Sequence, residues 1–141
     1  MIPLVDTIVW SRALRRDAPA ARPEVRELGD ALAGSEMIVT TGFIIQELLQ
    51  GFHGPKASAA IVERFSAFAF LSPSRDDYIA AAEVRNKCRR AGVQLGTVDA
   101  LIAQLCMRTD FTLLTTDQDF VHAAKHTALK VWSRKPGARH Q

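Results

Sequence analysis

The chain has 141 residues, 48% of them hydrophobic and 23% charged, which fits one globular domain. No apolar run approaches the roughly 20 residues of a membrane-spanning helix, and the first residues lack the basic and apolar regions of a secretory signal. The two cysteines form no Cys-x-x-Cys pair, as is typical of a reduced protein. We therefore expect a cytoplasmic protein with no membrane partner. The 18 basic against 15 acidic residues indicate nucleic acid only weakly.

Five short apolar runs are predicted strands, and the first has the profile of a strand buried on both faces, as in a parallel sheet. These runs span residues 2–5, 37–41, 70–71, 112–116 and 129–132. Because proline cannot donate a ladder hydrogen bond, we expect Pro3 at the very start of the first strand.

The segments between the strands have helical signals. They span residues 8–16, 24–33, 42–52, 57–68, 76–90, 98–108 and 117–126. Pro23 fits a first turn, Gly34 fits a helix end, and Thr97 is a plausible N-cap. The alternation predicts an α/β fold, a three-layer α/β/α sandwich around a mostly parallel central sheet. We expect a single domain over residues 1–132 and a loose basic tail over residues 133–141.

Four acidic side chains are predicted at one edge of this sheet. Asp6 and Asp117 each follow a strand directly, whereas Asp99 and Glu47 lie in the first two turns of helices. In an open parallel sheet, ligands gather where the strands end, so these carboxylates from distant positions are expected to meet.

Carboxylates held close together repel one another, and a hard divalent cation removes that conflict. Mg²⁺ prefers oxygen ligands and needs only one or two direct carboxylates. Such a site polarises a phosphoryl oxygen and activates water, which is chemistry for cutting a phosphodiester. The competing interpretation is structural. Asp6, Asp99 and Asp117 each suit a helix cap, and Glu47 alone would suit a surface position.

Four segments around these acids resemble the motifs of PIN domains of the VapC toxin type. They are residues 4–10 (LVDTIVW), 46–51 (QELLQG), 96–103 (GTVDALIA) and 113–120 (LLTTDQDF). Each motif is weak alone, but the four occur in family order and cover essentially the whole chain.

The resemblance implies a PIN-like fold and a Mg²⁺- or Mn²⁺-dependent endoribonuclease that leaves a 5′-phosphate and a 3′-hydroxyl. It makes Asp6, Glu47, Asp99 and Asp117 the metal-site acids. It gives Thr7 and Thr115 or Thr116 the task of orienting a carboxylate or a bound water. Asp119 either joins the outer shell of the site or caps the following helix.

The resemblance also implies a toxin that pairs with a cognate antitoxin and forms a homodimer. The substrate is expected to be a structured RNA, and Arg12, Arg15 and Arg16 are the first candidates for phosphate contacts, because they follow Asp6 closely. Two alternatives remain. One is a non-catalytic PIN-like module that binds RNA or protein, and the other is a PIN nuclease of RNA processing.

Overall fold

The computed structural model describes residues 1–15, 22–34 and 36–134. Arg16 and most of the predicted tail, residues 135–141, lie outside these ranges. Five strands form one sheet: β1 (Pro3–Val5), β2 (Val39–Thr40), β3 (Ala69–Phe70), β4 (Thr112–Leu114) and β5 (Lys130–Val131). The strand order is β3-β2-β1-β4-β5, and every pair is parallel. Pro3 opens β1, as its missing N–H predicts.

Seven helices occur in the described residues. They are α1 (Thr7–Leu14), α2 (Pro23–Ala33), α3 (Gly42–Gly51), α4 (Pro55–Phe65), α5 (Arg75–Arg90), α6 (Thr97–Thr109) and α7 (Gln118–Ala124). Helix α1 contacts α2 and α3, α3 contacts α4, and α5 packs along α6. The predicted α/β/α sandwich around a parallel sheet is confirmed. None of the helices in these ranges is both long and apolar enough to span a membrane.

The core is centred on the two middle strands. Leu4, Val5, Leu113 and Leu114 are all 0% exposed, so β1 and β4 are covered on both faces. This burial explains why their sequences are continuous apolar runs rather than alternating ones. The Trp10 ring packs against Phe65, the last residue of α4, and against Phe68 just after it. Trp10 therefore belongs to the core rather than to a base-stacking surface.

Helices α5 and α6 are joined by a buried carboxylate. Ser74 and Asp77 form a capping box at the start of α5. Asp77 Oδ1 then accepts a hydrogen bond of 2.7 Å from Arg108 Nε on α6. Burial alone would raise the pKa of Asp77, but its hydrogen bonds to Arg108 and Ser74 lower it below the usual value.

Several predicted bounds of the elements differ from the structure, and two of these differences concern threonines. The N-cap of α6 is Gly96, and Thr97 is the first helical residue, so the threonine hydroxyl is not the cap. The strand predicted over residues 112–116 ends at Leu114. Thr115 has left the strand, and its hydroxyl bonds to the side chain of Asp6 instead.

Candidate metal centre

Asp6 lies directly after β1, where it caps α1. Its Oδ1 accepts a hydrogen bond of 2.8 Å from the Thr7 backbone N–H, and its Oδ2 accepts one of 2.7 Å from Thr115 Oγ1. The Asp6 backbone N–H donates to the carbonyl of Leu114, so Asp6 stays in register with the end of β4. The carboxylate is only 8% exposed. Both of its oxygens are therefore fixed in direction.

Glu47 reaches the same edge of the sheet from α3. Its Oε1 accepts a hydrogen bond of 2.8 Å from Thr7 Oγ1. Thr7 thus donates to two of the predicted acids, through its N–H to Asp6 and through its hydroxyl to Glu47. Glu47 remains exposed to solvent.

Asp117 follows β4 and caps α7. Its Oδ1 accepts a hydrogen bond of 2.9 Å from the backbone N–H of Asp119, and its own N–H donates to Thr115 Oγ1 at 3.1 Å. The cap of α7 is therefore Asp117, and Asp119 is a donor to that cap rather than the cap itself. Because its hydroxyl donates to Asp6 and accepts from Asp117, Thr115 ties the ends of β1 and β4 together.

Asp99 enters from the first turn of α6. Burial raises its pKa most, and the charges of the other acids add to the rise, which brings the pKa to about 6 in total. Those acids are Asp6, Asp117, Glu47 and Asp119, in descending order of effect. The other three predicted acids therefore all lie within electrostatic reach of Asp99.

The same electrostatic picture holds at Asp6. Burial raises the pKa of Asp6, the hydrogen bonds from Thr115 and Thr7 oppose the rise, and the charges of Asp117 and Glu47 add to it. Burial also raises the pKa of the Cys106 thiol to about 12, with a smaller contribution from Asp6. Cys106 is therefore a protonated core residue beside the acids and no nucleophile.

The predicted RNA contacts differ in their surroundings. Arg12 is half-buried: its Nη1 donates to Thr116 Oγ1 at 2.7 Å and lies 3.8 Å from Glu24 Oε1. Arg15 ends α1 and is exposed, and Arg16 lies outside the described residues. Thr116 therefore contacts an arginine, whereas Thr7 and Thr115 contact the acids.

The donor set fits a hard divalent cation, because all four acids offer oxygen and repel one another without one. Within residues 1–15, 22–34 and 36–134, no three acidic, histidine or cysteine side chains are arranged to enclose a single ion. Mg²⁺ does not require such a cage, since one or two direct carboxylates and several waters suffice.

Sequence reasoning missed two features of this edge. The hydroxyls of Thr40 and Thr41 are buried without a hydrogen-bond partner where β2 ends. Leu4 pairs with Val39, so Thr41 is level with Asp6. The sequence did contain a signal for these threonines, because polar residues follow an apolar strand there, as Asp6 and Asp117 follow theirs. The second feature, Glu24, had no comparable signal, because an acid in a first helical turn is ordinary.

The fold and this edge define an α/β/α domain that collects acidic side chains where its parallel strands end. A sequence model of the PIN domain matches residues 4–126. The chain belongs to the PIN domain family.

Solved structures share this fold over nearly the whole chain. The VapBC2 complex from Rickettsia felis, bound to a DNA fragment from its promoter, has a chain with a TM-score of 0.71 and 19% identity, covering 94% of this chain and 98% of that one. FitAcB from Neisseria gonorrhoeae has a TM-score of 0.68 and 20% identity, over 94% and 97%. VapBC-1 from nontypeable Haemophilus influenzae has a chain with a TM-score of 0.69 and 20% identity, covering 94% of this chain and 98% of that one. No curated protein sequence matches the chain.

Proposed function

We propose that the protein is a metal-dependent endoribonuclease that acts as the toxin of a VapBC-type pair. PIN domains are generally nucleases. The observation that carries the proposal is the raised pKa of Asp99, to about 6, by burial and by four other carboxylates from distant parts of the chain. Buried like charges are costly to a fold, and their assembly is expected where a cation binds them.

In this proposal the acid cluster, which consists of Asp6, Glu47, Asp99 and Asp117, holds Mg²⁺ or Mn²⁺. When bound, the cation supplies charge that polarises a phosphodiester and lowers the pKa of water. Thr115 and Thr7 fix both oxygens of Asp6, and Thr7 also fixes Glu47. Such supporting hydrogen bonds keep carboxylates oriented toward a ligand. Asp119 adds negative charge beside Asp99.

The substrate in this proposal is RNA, held by contacts from arginine to phosphate. Arg12 lies on α1 and Arg15 ends that helix, which begins directly after Asp6. Their charges would offset the repulsion between the acids and the RNA backbone. Because single-stranded loops expose their bases and bend sharply, a structured RNA with such a loop is the expected target.

The toxin role is supported by the solved structures that share the fold, since two of those above carry the name VapBC. We propose a cognate antitoxin, a cytoplasmic location and a homodimer. Exposed apolar side chains on α5 and α6, Tyr78, Ile79 and Val98, favour a second copy as the partner on that face. Co-expression with the protein encoded next to this chain, followed by purification on a tag carried by one of them, tests the antitoxin.

One observation favours a non-catalytic module instead. Asp6 and Asp117 both make cap hydrogen bonds, to the N–H groups of Thr7 and Asp119. Caps stabilise helices without any metal. A PIN nuclease of RNA processing would share the same acids, and a cognate antitoxin separates the toxin from it.

The deciding experiment is cleavage of total RNA by the purified protein with Mg²⁺ or Mn²⁺, beside Asp99→Asn and an EDTA control. Asp99→Asn keeps the shape of the side chain but removes the charge that a cation needs. Asp110→Asn, at the exposed end of α6, is the matched control. We expect discrete fragments from the wild type and from Asp110→Asn only.

Other outcomes contradict the proposal in distinct ways. No cleavage of several RNAs by folded protein freed of any antitoxin would favour the binding module. Cleavage that survives both Asp99→Asn and EDTA would refute the metal mechanism.

A further inference from the structure

A buried carboxylate on α2 is connected to the rim of the acid cluster through an arginine. Glu24 is 3% exposed. Its Oε1 lies 3.8 Å from Arg12 Nη1 and 3.8 Å from Arg22 Nη1. The same Arg12 nitrogen donates a hydrogen bond of 2.7 Å to Thr116 Oγ1. Thr116 stands between Thr115, which holds Asp6, and the site acid Asp117.

A carboxylate this deeply buried is costly unless cations face it. Its two arginines differ in what else they contact. Arg22 is the N-cap residue of α2 and is largely exposed, whereas Arg12 reaches across to the segment after β4.

The Arg12 guanidinium sits at the rim of the cluster, outside the acids themselves. Its charge is not among the main influences on the pKa of Asp6 or Asp99. A guanidinium has five donors in a rigid plane. Arg12 can therefore contact Glu24 and Thr116 through Nη1 while its other N–H groups contact a phosphate.

We propose that Glu24 is a positioning residue for RNA cleavage, whose carboxylate holds Arg12 against Thr116 so that the guanidinium contacts a phosphate beside the acid cluster. This inference rests on the proposed nuclease function. Arg12 supplies the positive charge that contacts the phosphate, whereas Glu24 determines only where that charge lies.

The test measures binding and turnover separately. Binding of a short fluorescein-labelled RNA hairpin with a single-stranded loop of mixed sequence is followed against salt concentration, in EDTA and with Asp99→Asn in every protein, so that nothing is cut. Turnover of the same RNA with Mn²⁺ gives kcat and KM for the proteins that keep Asp99. The variants are Arg12→Gln, Glu24→Gln and the double variant.

We expect Arg12→Gln to lower the slope of log affinity against log salt by about one, since one phosphate contact is lost, and to lower kcat roughly tenfold. Glu24→Gln should leave the slope and KM unchanged, because it removes no cation, yet lower kcat roughly three- to tenfold. The double variant should match Arg12→Gln alone, since the two residues act through one contact. A merely structural role would not separate kcat from the salt slope in this way.

Matched controls remove equal charges nearby. Arg22→Gln removes the other arginine that faces Glu24, and Asp30→Asn removes an exposed carboxylate on α2. Both should keep the wild-type kcat. Full kcat in Glu24→Gln, or losses that multiply in the double variant, would overturn the inference.

Two further variants keep the test decisive if Glu24→Gln does not fold. Thr116→Val removes the hydrogen bond that holds Arg12 from the other side. Arg12→Lys keeps the charge but cannot span both partners. Each should lower kcat with the salt slope unchanged, and a wild-type kcat in both would refute the positioning role. If the wild type cuts no RNA, the nuclease function fails, whereas cleavage that Asp99→Asn abolishes and these variants spare overturns this inference alone.

Discussion

The ionised form of Asp99 is costly to the fold. Its pKa is about 6, against an ordinary value of 3.8. A carboxyl group with a raised pKa in the folded state favours folding while it is protonated, and that advantage is lost as pH rises through about 6. Above that pH the protein bears the whole cost of the charge.

We therefore expect Asp99→Asn to stabilise the protein in EDTA at pH 8 by about 1–2 kcal/mol, after allowance for solvent screening. The gain should vanish near pH 4, where the wild-type carboxyl group is protonated. Urea unfolding at both pH values measures it, with the exposed Asp30→Asn on α2 as the control. A loss of stability at pH 8 would mean that Asp99 is a structural cap. If the prediction holds, adding Mn²⁺ in the absence of EDTA should raise the stability of the wild type but not of Asp99→Asn.

Thr115 donates a hydrogen bond to Asp6, the most buried of the four predicted site acids. Its hydroxyl donates to Asp6 Oδ2 at 2.7 Å and is itself 2% exposed. Loss of such a supporting hydrogen bond weakens metal binding by roughly 10- to 100-fold. We expect Thr115→Val to weaken Mn²⁺ binding about tenfold, as measured by isothermal titration calorimetry. Thr112→Val, at the other end of β4, is the matched control, and equal losses in both variants would contradict a specific role.

The sequence placed Asp6 and Asp117 directly after two predicted strands, and the resemblance named threonines that could orient carboxylates, but the partner of each threonine was not predictable. Chain order and the strand-end rule were sufficient to select Asp6 and Asp117. The contacts of Thr7 with Glu47 and of Arg12 with Thr116 join residues 40 and 104 positions apart. No local pattern encodes such contacts, since they depend on how α1 is packed against α3 and on where β4 ends.

At the scale of elements, the junction of α5 and α6 depends on one buried charge. Asp77 is 1% exposed and receives hydrogen bonds from Ser74 and Arg108. Because its pKa is lowered, its stabilising effect is present above the ordinary value of 3.8 and is lost as pH falls through the lower, folded pKa.

We expect Asp77→Asn to destabilise the protein by about 2 kcal/mol at neutral pH, since it leaves Arg108 without its carboxylate. The difference from wild type should shrink on acidification below pH 4. Urea unfolding followed by circular dichroism measures the loss. Asp76→Asn, an exposed neighbour in the same first turn, should cost less than half as much. Equal losses would assign the effect to the helix dipole rather than to the buried pair.

The ends of elements were less predictable than their order. The alternation of apolar runs and helical stripes predicted every strand and helix in the described residues. Two of the wrong boundaries lie where a threonine follows an element or begins one, whereas the helix predicted over residues 57–68 is α4, Pro55–Phe65. By local sequence Thr115 suits a strand and Thr97 suits a helix cap. In the structure Thr115 lies beyond the strand and bonds to Asp6, and the backbone geometry makes Gly96 the N-cap of α6.

At the scale of the whole molecule, α5 and α6 leave an apolar face uncovered. Tyr78 and Ile79 are more than half exposed, and a groove of about 410 Å³ beside them is lined by Phe43, Val98 and Leu101. Arg85 also lines this groove, and its Nε donates to the carbonyl of Leu95. A guanidinium held in this way leaves the face largely apolar, which suits a second copy of the same chain.

We expect the purified protein to be a dimer by size-exclusion chromatography with light scattering. Tyr78→Glu and Val98→Glu should each yield a monomer with unchanged helical content, because a buried unpaired carboxylate is costly at an interface. Val62→Glu introduces the same charge at an exposed valine on α4 and should leave the dimer intact. A monomeric wild type would reject this face as a self-association surface. A dimer that persists in both α5 and α6 variants would place the interface elsewhere on the domain.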